Sequence, residues 1–300
     1  MKKKILNFSF SKAFRIENTF KNSLIFFPLL LSDRSTNTSD IITLIGGFFI
    51  FTLITSICYA TNDFTDFKKD LINKLKTKKS ILKKNTIIIL NFFLLLFLLF
   101  LFYFTDFYNF YLILYLISFY LYNFFIKNFF LIDLVFLTTF YILRLFYGSE
   151  LIGLNMSYWF LFFFMSFFLI FSVFKRMIQI SVNNLNTKNN IISYSLNDYP
   201  LLKKIIIVST VINLFIFILY LYEVAFPNTF ISLSTPDTRY QQSILILCMI
   251  FIGYSIGLVR IIRLVFAKKI KKDIYLFALK DKVNYMFLIG YLLIAYFHIS

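Results

Sequence analysis

The sequence predicts an all-α integral membrane protein, and two observations carry that prediction. Hydrophobic residues make up 60% of the 300 positions and charged residues only 15%, whereas a soluble domain carries roughly a quarter charged residues. The mean hydropathy is +0.79, and the apolar residues form runs close to the roughly 20 residues that cross a bilayer core. Because that core offers no water to the backbone, runs of this length are expected to be helices.

Eight runs predict membrane spans, and a ninth at about 22–32 is short and contains Pro28. The eight lie at about 41–60, 86–104, 109–126, 129–147, 157–174, 205–222, 242–265 and 283–299. The ninth crosses only if its flanks reach the interface or the helix tilts. We expect one polytopic domain of about nine transmembrane helices over residues 22–300. Residues 1–21 are expected to form a cytoplasmic segment, with an amphipathic helix over 5–20 on the membrane surface.

The basic residues predict the orientation of the chain. The net charge is +17, and the 31 lysines and arginines lie in loops on one side, except Arg34 and Arg239 opposite and Arg144 within a span. This is the positive-inside pattern, so the expected partners are membrane lipids and not nucleic acid. We predict a multi-pass plasma (inner) membrane protein with a cytoplasmic N-terminus and cytoplasmic active-site loops. With nine spans, the C-terminus lies outside.

Two residue counts argue against other chemistries. The single histidine, His298, lies at the outer end of the last predicted span, so a histidine-based metal site or proton relay is excluded. The seven glycines form no glycine-rich phosphate loop, so nothing supports ATP-driven transport.

An acidic motif follows the second predicted span. Residues 62–70 read Asn-Asp-Phe-Thr-Asp-Phe-Lys-Lys-Asp, which places Asp63, Asp66 and Asp70 on one face of a helix. Like charges at this spacing repel one another, and a hard cation with oxygen ligands such as Mg²⁺ removes that penalty and holds substrate phosphates. The alternative is a solvated helix end whose acids pair with nearby lysines.

Basic residues at the same membrane boundary are candidates for binding phosphate groups. A short turn at 122–128 carries Tyr122 and Lys127, and a later loop opens with Lys175 and Arg176. Ammonium and guanidinium groups bind phosphate oxygens through charge-assisted hydrogen bonds. The alternative for any single one is that it sets topology and contacts lipid headgroups.

Asp133 and Arg144 fall within one predicted span. Ionisable side chains at membrane depth face the protein interior and pair with other groups. These two are eleven residues apart, about 16 Å along a helix, so each is expected to find a partner other than the other.

The order of these features resembles a known family. A polytopic chain with Asn-Asp-x-x-Asp-x-x-x-Asp after its second span is similar to the UbiA-type intramembrane prenyltransferases, nine-helix enzymes that bind isoprenoid diphosphates or phosphates with Mg²⁺. Within that family the chain most resembles the decaprenyl-phosphate phosphoribosyltransferase branch. The similarity covers about residues 12–297 and rests on Arg15, Lys21, Asn22, Pro28, Tyr59, Tyr122, Lys127, Asp133, Arg144, Gly148, Ser157, Trp159, Lys175, Arg176, Tyr194, Gly257 and Arg260.

The resemblance implies a helix bundle around a central cavity open to the cytoplasm. It implies that Asp63, Asp66 and Asp70 are catalytic and hold Mg²⁺ together with Asn62. It also implies a set of substrate phosphate-binding residues: Lys21, Asn22, Tyr122, Lys127, Lys175 and Arg176. The implied reaction transfers phosphoribose from a phosphorylated donor, phosphoribosyl diphosphate, to an isoprenoid lipid, polyprenyl phosphate, for cell-envelope glycan synthesis. It predicts no oligomeric state.

The chain departs from the family pattern at three places. Leu71 stands where an arginine often follows the last aspartate, Lys-Lys-Ser at 78–80 replaces an Arg-Pro element, and Gln179 replaces an acid. Lysine does not reproduce the bidentate fork of arginine, so these departures bear on the branch and the substrate.

Two other functions stay open. One is prenyl transfer from a prenyl diphosphate to an aromatic acceptor, although that chemistry usually has a second acidic motif where Asp198 stands alone. The other is non-enzymatic transport of an anionic lipid, which predicts charges along a path through the membrane and not gathered on one face.

Overall fold

A computed structural model describes residues 16–30, 32, 34–65, 84–104, 109–183, 194–225, 238–270, 274, 277 and 281–283. Every secondary-structure element assigned among these residues is a helix, which confirms the all-α prediction for the described part of the chain. The chain divides into two compact units, one formed by the described residues up to Ser157 and one by those from Tyr158 onward.

The first unit contains an N-terminal helical segment and four longer helices. The N-terminal segment, residues 16–30, is a 3₁₀ helix over Ile16–Phe26 continued by a short helix α1 over Phe27–Leu30. The longer helices are α2 Thr38–Thr65, α3 Lys84–Phe104, α4 Phe110–Phe124 and α5 Ile132–Leu151. A 3₁₀ turn over Ile126–Asn128 connects α4 to α5.

The second unit contains three long helices. They are α6 Tyr158–Asn183, α7 Tyr199–Ala225 and α8 Thr238–Phe266, with a 3₁₀ turn over Leu196–Asp198 before α7. Helix α7 packs on both α6 and α8.

Six of the predicted spans are confirmed as helices long and apolar enough to cross a membrane. They lie at Thr38–Asn62, Asn85–Phe104, Ile132–Leu151, Tyr158–Val182, Leu196–Tyr222 and Leu247–Phe266. The predicted span at 109–126 is a shorter apolar helix of 15 residues, α4. The predicted span at 283–299 and the predicted surface helix at 5–20 lie largely outside the described residues.

The predicted span at 22–32 belongs to the N-terminal segment. Its 3₁₀ part covers 11 residues, and at about 2.0 Å per residue it extends farther than an α-helix of equal length. The segment packs against α2 and α5, so it is part of the first unit's core.

Helix α5 is the most enclosed of the six span-length helices. In its most apolar window 67% of the residues are buried, against 17% in α3. Large apolar side chains such as Phe92, Phe93 and Phe100 are exposed on α3, as expected for a face that meets lipid. Asp133 and Arg144 on α5 are 0% and 2% exposed, which confirms the prediction that both face the interior.

Candidate functional site

The acidic motif begins on the last turn of α2. Asn62 is half-buried there, and Asp63 is the next helical position. Asp66 and Asp70 lie outside the described residues, so the convergence of the three aspartates stays a prediction. What the structure describes is how the helix end that carries the start of the motif is held.

Thr61, directly before the motif, is tied to two neighbouring helices. The Nδ2 of Asn91 on α3 donates to Thr61 Oγ1 at 3.0 Å, and the hydroxyl of Tyr120 on α4 donates to Asn91 Oδ1 at 2.6 Å. Asn91 also donates to the backbone carbonyl of Ile87 at 2.8 Å. Polar side chains that bond between apolar helices fix their relative positions, so α2, α3 and α4 are held in register just before Asn62.

Thr65 connects the motif to the turn that carries Lys127. The Oγ1 of Thr65 donates to Asn123 Oδ1 at 3.0 Å, and the Nζ of Lys127 donates to the same oxygen at 3.1 Å. The Lys127 ammonium group therefore lies near the end of α2. Its link through Asn123 is to Thr65, which stands between Asp63 and Asp66 in the sequence. Asn123, which makes the connection, was not among the predicted site residues.

Arg144 on α5 is buried among neutral oxygen atoms. Its Nε donates to Asn22 Oδ1 at 3.0 Å, and its Nη2 donates to the hydroxyls of Tyr115 at 3.1 Å and Tyr59 at 3.4 Å. Its Nη1 donates to the backbone carbonyl of Phe140. Taking a charged group out of water costs several kcal/mol unless its donors are satisfied, and these bonds meet that requirement.

Aromatic rings complete the environment of the Arg144 guanidinium. Its central carbon lies 5.6 Å from the ring centre of Phe51, 5.1 Å from that of Tyr115 and 5.7 Å from that of Tyr141. The faces of such rings attract cations within about 6 Å. The positive charge of Arg144 is thus held at one place inside the first unit.

The face of α2 that contacts Arg144 also carries the start of the motif. Thr52, Thr55 and Tyr59 follow the three- and four-residue spacing of a single helix face, and residue 63 is the next position on it. Tyr59 bonds to Arg144, and residue 63 follows Tyr59 by four positions, about 6 Å along the helix axis.

Asn22 joins the N-terminal segment to both α2 and α5. It is fully buried, and its Nδ2 donates to Thr52 Oγ1 at 3.1 Å and to Thr55 Oγ1 at 3.0 Å while its oxygen accepts from Arg144. Its amide groups are therefore engaged within the protein. Lys21, directly before it, is half-buried. The binding of phosphate by these two residues stays a prediction.

Tyr122 packs beside this region. Its ring lies edge-on to that of Phe140 with 5.5 Å between the ring centres, and its side chain is half-buried. It precedes Asn123, so the last turn of α4 holds both a predicted site residue and the residue that connects Thr65 to Lys127.

The predicted residues Lys175 and Arg176 lie on α6 in the second unit. Arg176 is 8% exposed; its Nη1 donates to Gln179 Oε1 at 2.8 Å, and its guanidinium lies 5.8 Å from the ring centre of Tyr194. Gln179, which stands where the resembled family carries an acid, thus supplies a neutral acceptor to Arg176. Lys175 is half-buried. That Lys175 and Arg176 share one site with the acidic motif stays a prediction.

A buried amide also connects the three helices of the second unit. Asn213 on α7 is fully buried; its Nδ2 donates to the carbonyl of Phe163 and to Ser166 Oγ, both at 2.9 Å, and its Oδ1 accepts from the hydroxyl of Tyr254. All of its amide groups have partners, as expected of a residue that stabilises helix packing in lipid.

A bidentate ion pair joins α8 to Asp281, one of the last described residues of the second unit. Arg260 on α8 contacts the two carboxylate oxygens of Asp281 at 2.5 and 3.0 Å. The paired N–H groups of arginine match a carboxylate in geometry as well as charge, so this contact fixes Asp281 against α8.

The oxygen donors at the start of the motif suit a hard cation. Asn62 offers an amide oxygen and Asp63 a carboxylate at adjacent positions of a fixed helix end, and oxygen ligands are those that Mg²⁺ prefers. Among the described residues no cluster of three or more histidine, cysteine, aspartate or glutamate side chains is found, and Asp66 and Asp70 are not among them.

No protein-family model matches this chain, and no curated protein matches it significantly. The resemblance to the UbiA-type enzymes therefore rests on the motif and the ordered residues given above.

Proposed function

We propose that this protein is a membrane-embedded, Mg²⁺-dependent transferase of the UbiA type. It moves phosphoribose from phosphoribosyl diphosphate to a polyprenyl phosphate carrier for cell-envelope glycan synthesis. The observation that carries the proposal is the sharing of Asn123 Oδ1 by Thr65 and Lys127. It holds the Lys127 ammonium group near Thr65, which stands within the motif in the sequence. A metal–diphosphate complex needs both the carboxylates of the motif and a nearby cation.

The reaction exchanges one carbon–oxygen bond for another. The bond from the ribose anomeric carbon to the diphosphate breaks, the diphosphate leaves with the electron pair, and an oxygen of the polyprenyl phosphate bonds to that carbon. The attacking phosphate is already anionic, so no side chain has to remove a proton. When bound by Asn62, Asp63, Asp66 and Asp70, Mg²⁺ supplies positive charge to the leaving diphosphate.

The protein's own cations and apolar helices have separate tasks in this proposal. Lys127 binds diphosphate oxygens next to the motif. Arg144 adds positive electrostatic potential from inside the first unit, and its hydrogen bonds hold Tyr59 and Asn22 in place. Lys175 and Arg176 also bind substrate phosphate in this proposal. The bundle comprises nine spans around a cavity open to the cytoplasm in the plasma (inner) membrane, and its apolar helices hold the polyprenyl tail.

The environment of Asp198 supports phosphoribosyl transfer over prenyl transfer to an aromatic acceptor. Its Oδ2 accepts from the backbone N–H of Ser195 at 2.8 Å and from the Ser195 hydroxyl at 3.0 Å. The Ser195 side chain in turn accepts from the backbone N–H of Asp198, which completes a capping box, so the carboxylate stabilises the turn before α7. A second acidic metal motif at this loop is thereby disfavoured.

The donor is identified by offering one labelled substrate at a time. Membranes containing the protein, with Mg²⁺ and polyprenyl phosphate, receive either labelled phosphoribosyl diphosphate or labelled prenyl diphosphate with an aromatic acid. We expect lipid-soluble label only from the phosphoribosyl donor. Lipid-soluble label from the prenyl donor alone indicates the prenyltransferase reaction. Label from neither, together with protein-dependent movement of an anionic lipid across vesicles, indicates a transporter.

A further inference from the structure

The amide of Asn123 has one side engaged and one side unused. The side chain is 1% exposed. Its Oδ1 accepts from Thr65 and from Lys127, and its Nδ2 has no hydrogen-bond partner within the described part of the chain. A buried donor without an acceptor costs free energy, and nearly all such groups in folded proteins have partners. This donor therefore requires an acceptor from outside the described residues, and a bound ligand can supply one.

The orientation of the amide follows from its neighbour. A lysine ammonium has three donors and no acceptor, so the atom of Asn123 that faces Lys127 at 3.1 Å is the oxygen. The nitrogen then occupies the other position. The amide atom without a partner is therefore the nitrogen, which is a hydrogen-bond donor.

Other asparagines that bond between helices show that this arrangement is unusual among the described residues. The Nδ2 atoms of Asn22 and Asn213 each donate to two acceptors of the protein. Asn91, which also bridges helices beside the motif, likewise donates twice. Asn123 differs from all three, and it is the one that contacts a candidate phosphate-binding lysine.

The surroundings specify the missing acceptor. The ammonium of Lys127 draws electron density from the amide through Oδ1, which strengthens the Nδ2–H as a donor. Asn123 thus carries an N–H donor and holds an ammonium group, and both kinds of group bind anionic oxygens. Thr65 places this pair of donors at the end of α2, next to the motif that holds the metal in the proposed function.

We propose that Asn123 is a substrate-binding residue whose Nδ2–H donates to a diphosphate oxygen of the phosphorylated donor. Its Oδ1 at the same time keeps Lys127 against the end of α2, so one amide aligns both groups with the leaving diphosphate. This inference rests on the proposed function and adds to it a residue that supports the donor's phosphates.

The test measures binding of inorganic pyrophosphate with Mg²⁺ to the solubilised full-length protein by calorimetry, alongside thermal unfolding without ligand. Asn123→Asp keeps the oxygen that accepts from Thr65 and Lys127 but replaces the N–H donor with a second oxygen. Asn123→Leu has a similar volume and removes donor and acceptor without adding charge. Asn213→Asp is the matched control, because there the lost N–H groups bond to the protein.

We expect both Asn123 variants to bind pyrophosphate about tenfold to a hundredfold more weakly, the range for a hydrogen bond to a charged group. Asn123→Asp is expected to unfold near the wild-type temperature without ligand, because the unused donor contributes no internal bond and the Lys127 ammonium pairs with the new carboxylate. Asn213→Asp is expected to unfold at a lower temperature and to bind pyrophosphate within about twofold of wild type, because its two lost bonds are structural.

Three results overturn the inference. Wild-type affinity in Asn123→Asp with weak binding in Asn123→Leu shows that Asn123 only anchors Lys127. Equal weakening of pyrophosphate binding in Asn123→Asp and Asn213→Asp shows that the loss comes from the added carboxylate and not from the missing Nδ2–H of Asn123. No binding of pyrophosphate by the wild-type protein contradicts the proposed function along with the inference, whereas the first two results leave that function standing.

Discussion

Gly148 of α5 lies directly against the backbone of Ile25, and a Cβ at position 148 would come within 2.0 Å of the Ile25 carbonyl oxygen. The N-terminal segment and α5 touch backbone to backbone at this point. Asn22, three residues before Ile25, accepts the hydrogen bond from Arg144, four residues before Gly148. The absence of a side chain at Gly148 therefore permits the approach that brings Asn22 to Arg144.

Gly148→Ala is expected to displace the N-terminal segment and weaken the Asn22–Arg144 bond. Forcing an extra methyl into a packed site costs about 1–3 kcal/mol, and backbone cannot move aside as a flexible side chain can. Gly47→Ala is the control, because there the nearest atom is the end of the Leu151 side chain, at 2.3 Å. Thermal unfolding in detergent should show a clearly larger loss for Gly148→Ala; equal losses would contradict the close backbone approach.

Arg144→Lys is expected to lower the free energy of unfolding by about 2–4 kcal/mol. A lysine ammonium cannot reach Asn22, Tyr115 and the Phe140 carbonyl together, because it lacks the planar fork of a guanidinium. Buried acceptors are then left without donors. The control is Arg263→Lys, whose side chain is exposed on α8 and should cost about 0.5 kcal/mol or less. Chemical denaturation of the two variants compares them, and similar costs would argue against the buried network.

The membrane helices could be predicted from the sequence because their signal is long-range and simple. Runs such as 86–104 are apolar on every side, and lipid leaves the backbone no alternative to a helix. The burial of Asp133 and Arg144 followed from the same reasoning, since charges avoid lipid. Helix ends were less predictable, because α2 continues through Thr65 beyond the predicted apolar run at 41–60. There, polar side chains of α2 bond to neighbouring helices.

The partners of the buried polar groups could not be predicted. Asn123 stands in an apolar helix beside Tyr122 and carries no motif of its own; its connection to Thr65 depends on how α4 packs against α2. The same holds for Asn22, whose threonine and arginine partners lie 30, 33 and 122 positions away. Contacts at such separations arise from packing geometry, which hydropathy does not encode.

Gln179→Glu tests the role of the neutral acceptor beside Arg176. The carboxylate can take over the bond that Arg176 makes to Gln179 Oε1, so the arginine should stay in place and transfer should remain within about threefold of wild type. Gln179→Leu removes the acceptor and should lower transfer by about tenfold or more, the value of a bond to a charged group. Rates of lipid labelling compare the two variants, and equal rates would show that the orientation of Arg176 does not matter.

Lys127→Ala is expected to lower transfer by about tenfold to a hundredfold, because it removes a cation fixed next to the leaving diphosphate. Lys74→Ala and Lys83→Ala should change the rate little, because several other lysines adjoin them in the sequence and replace the lost charge. All three remove one positive charge, so a general effect of net charge predicts equal losses. Initial rates at saturating Mg²⁺ distinguish the outcomes.

Mg²⁺-dependent transfer by the motif variants tests the proposed function most directly. Labelled phosphoribosyl diphosphate is supplied to membranes holding equal amounts of wild type, Asp63→Asn, Asp66→Asn or Asp70→Asn, with Mg²⁺ or with EDTA. We expect the wild type to need Mg²⁺, and each variant to insert normally and lose about thirtyfold to a thousandfold in rate, as a lost stabilisation of about 2–4 kcal/mol implies. Full activity of the variants, or of the wild type in EDTA, would mean that the motif is a solvated helix end and that the proposed function is wrong.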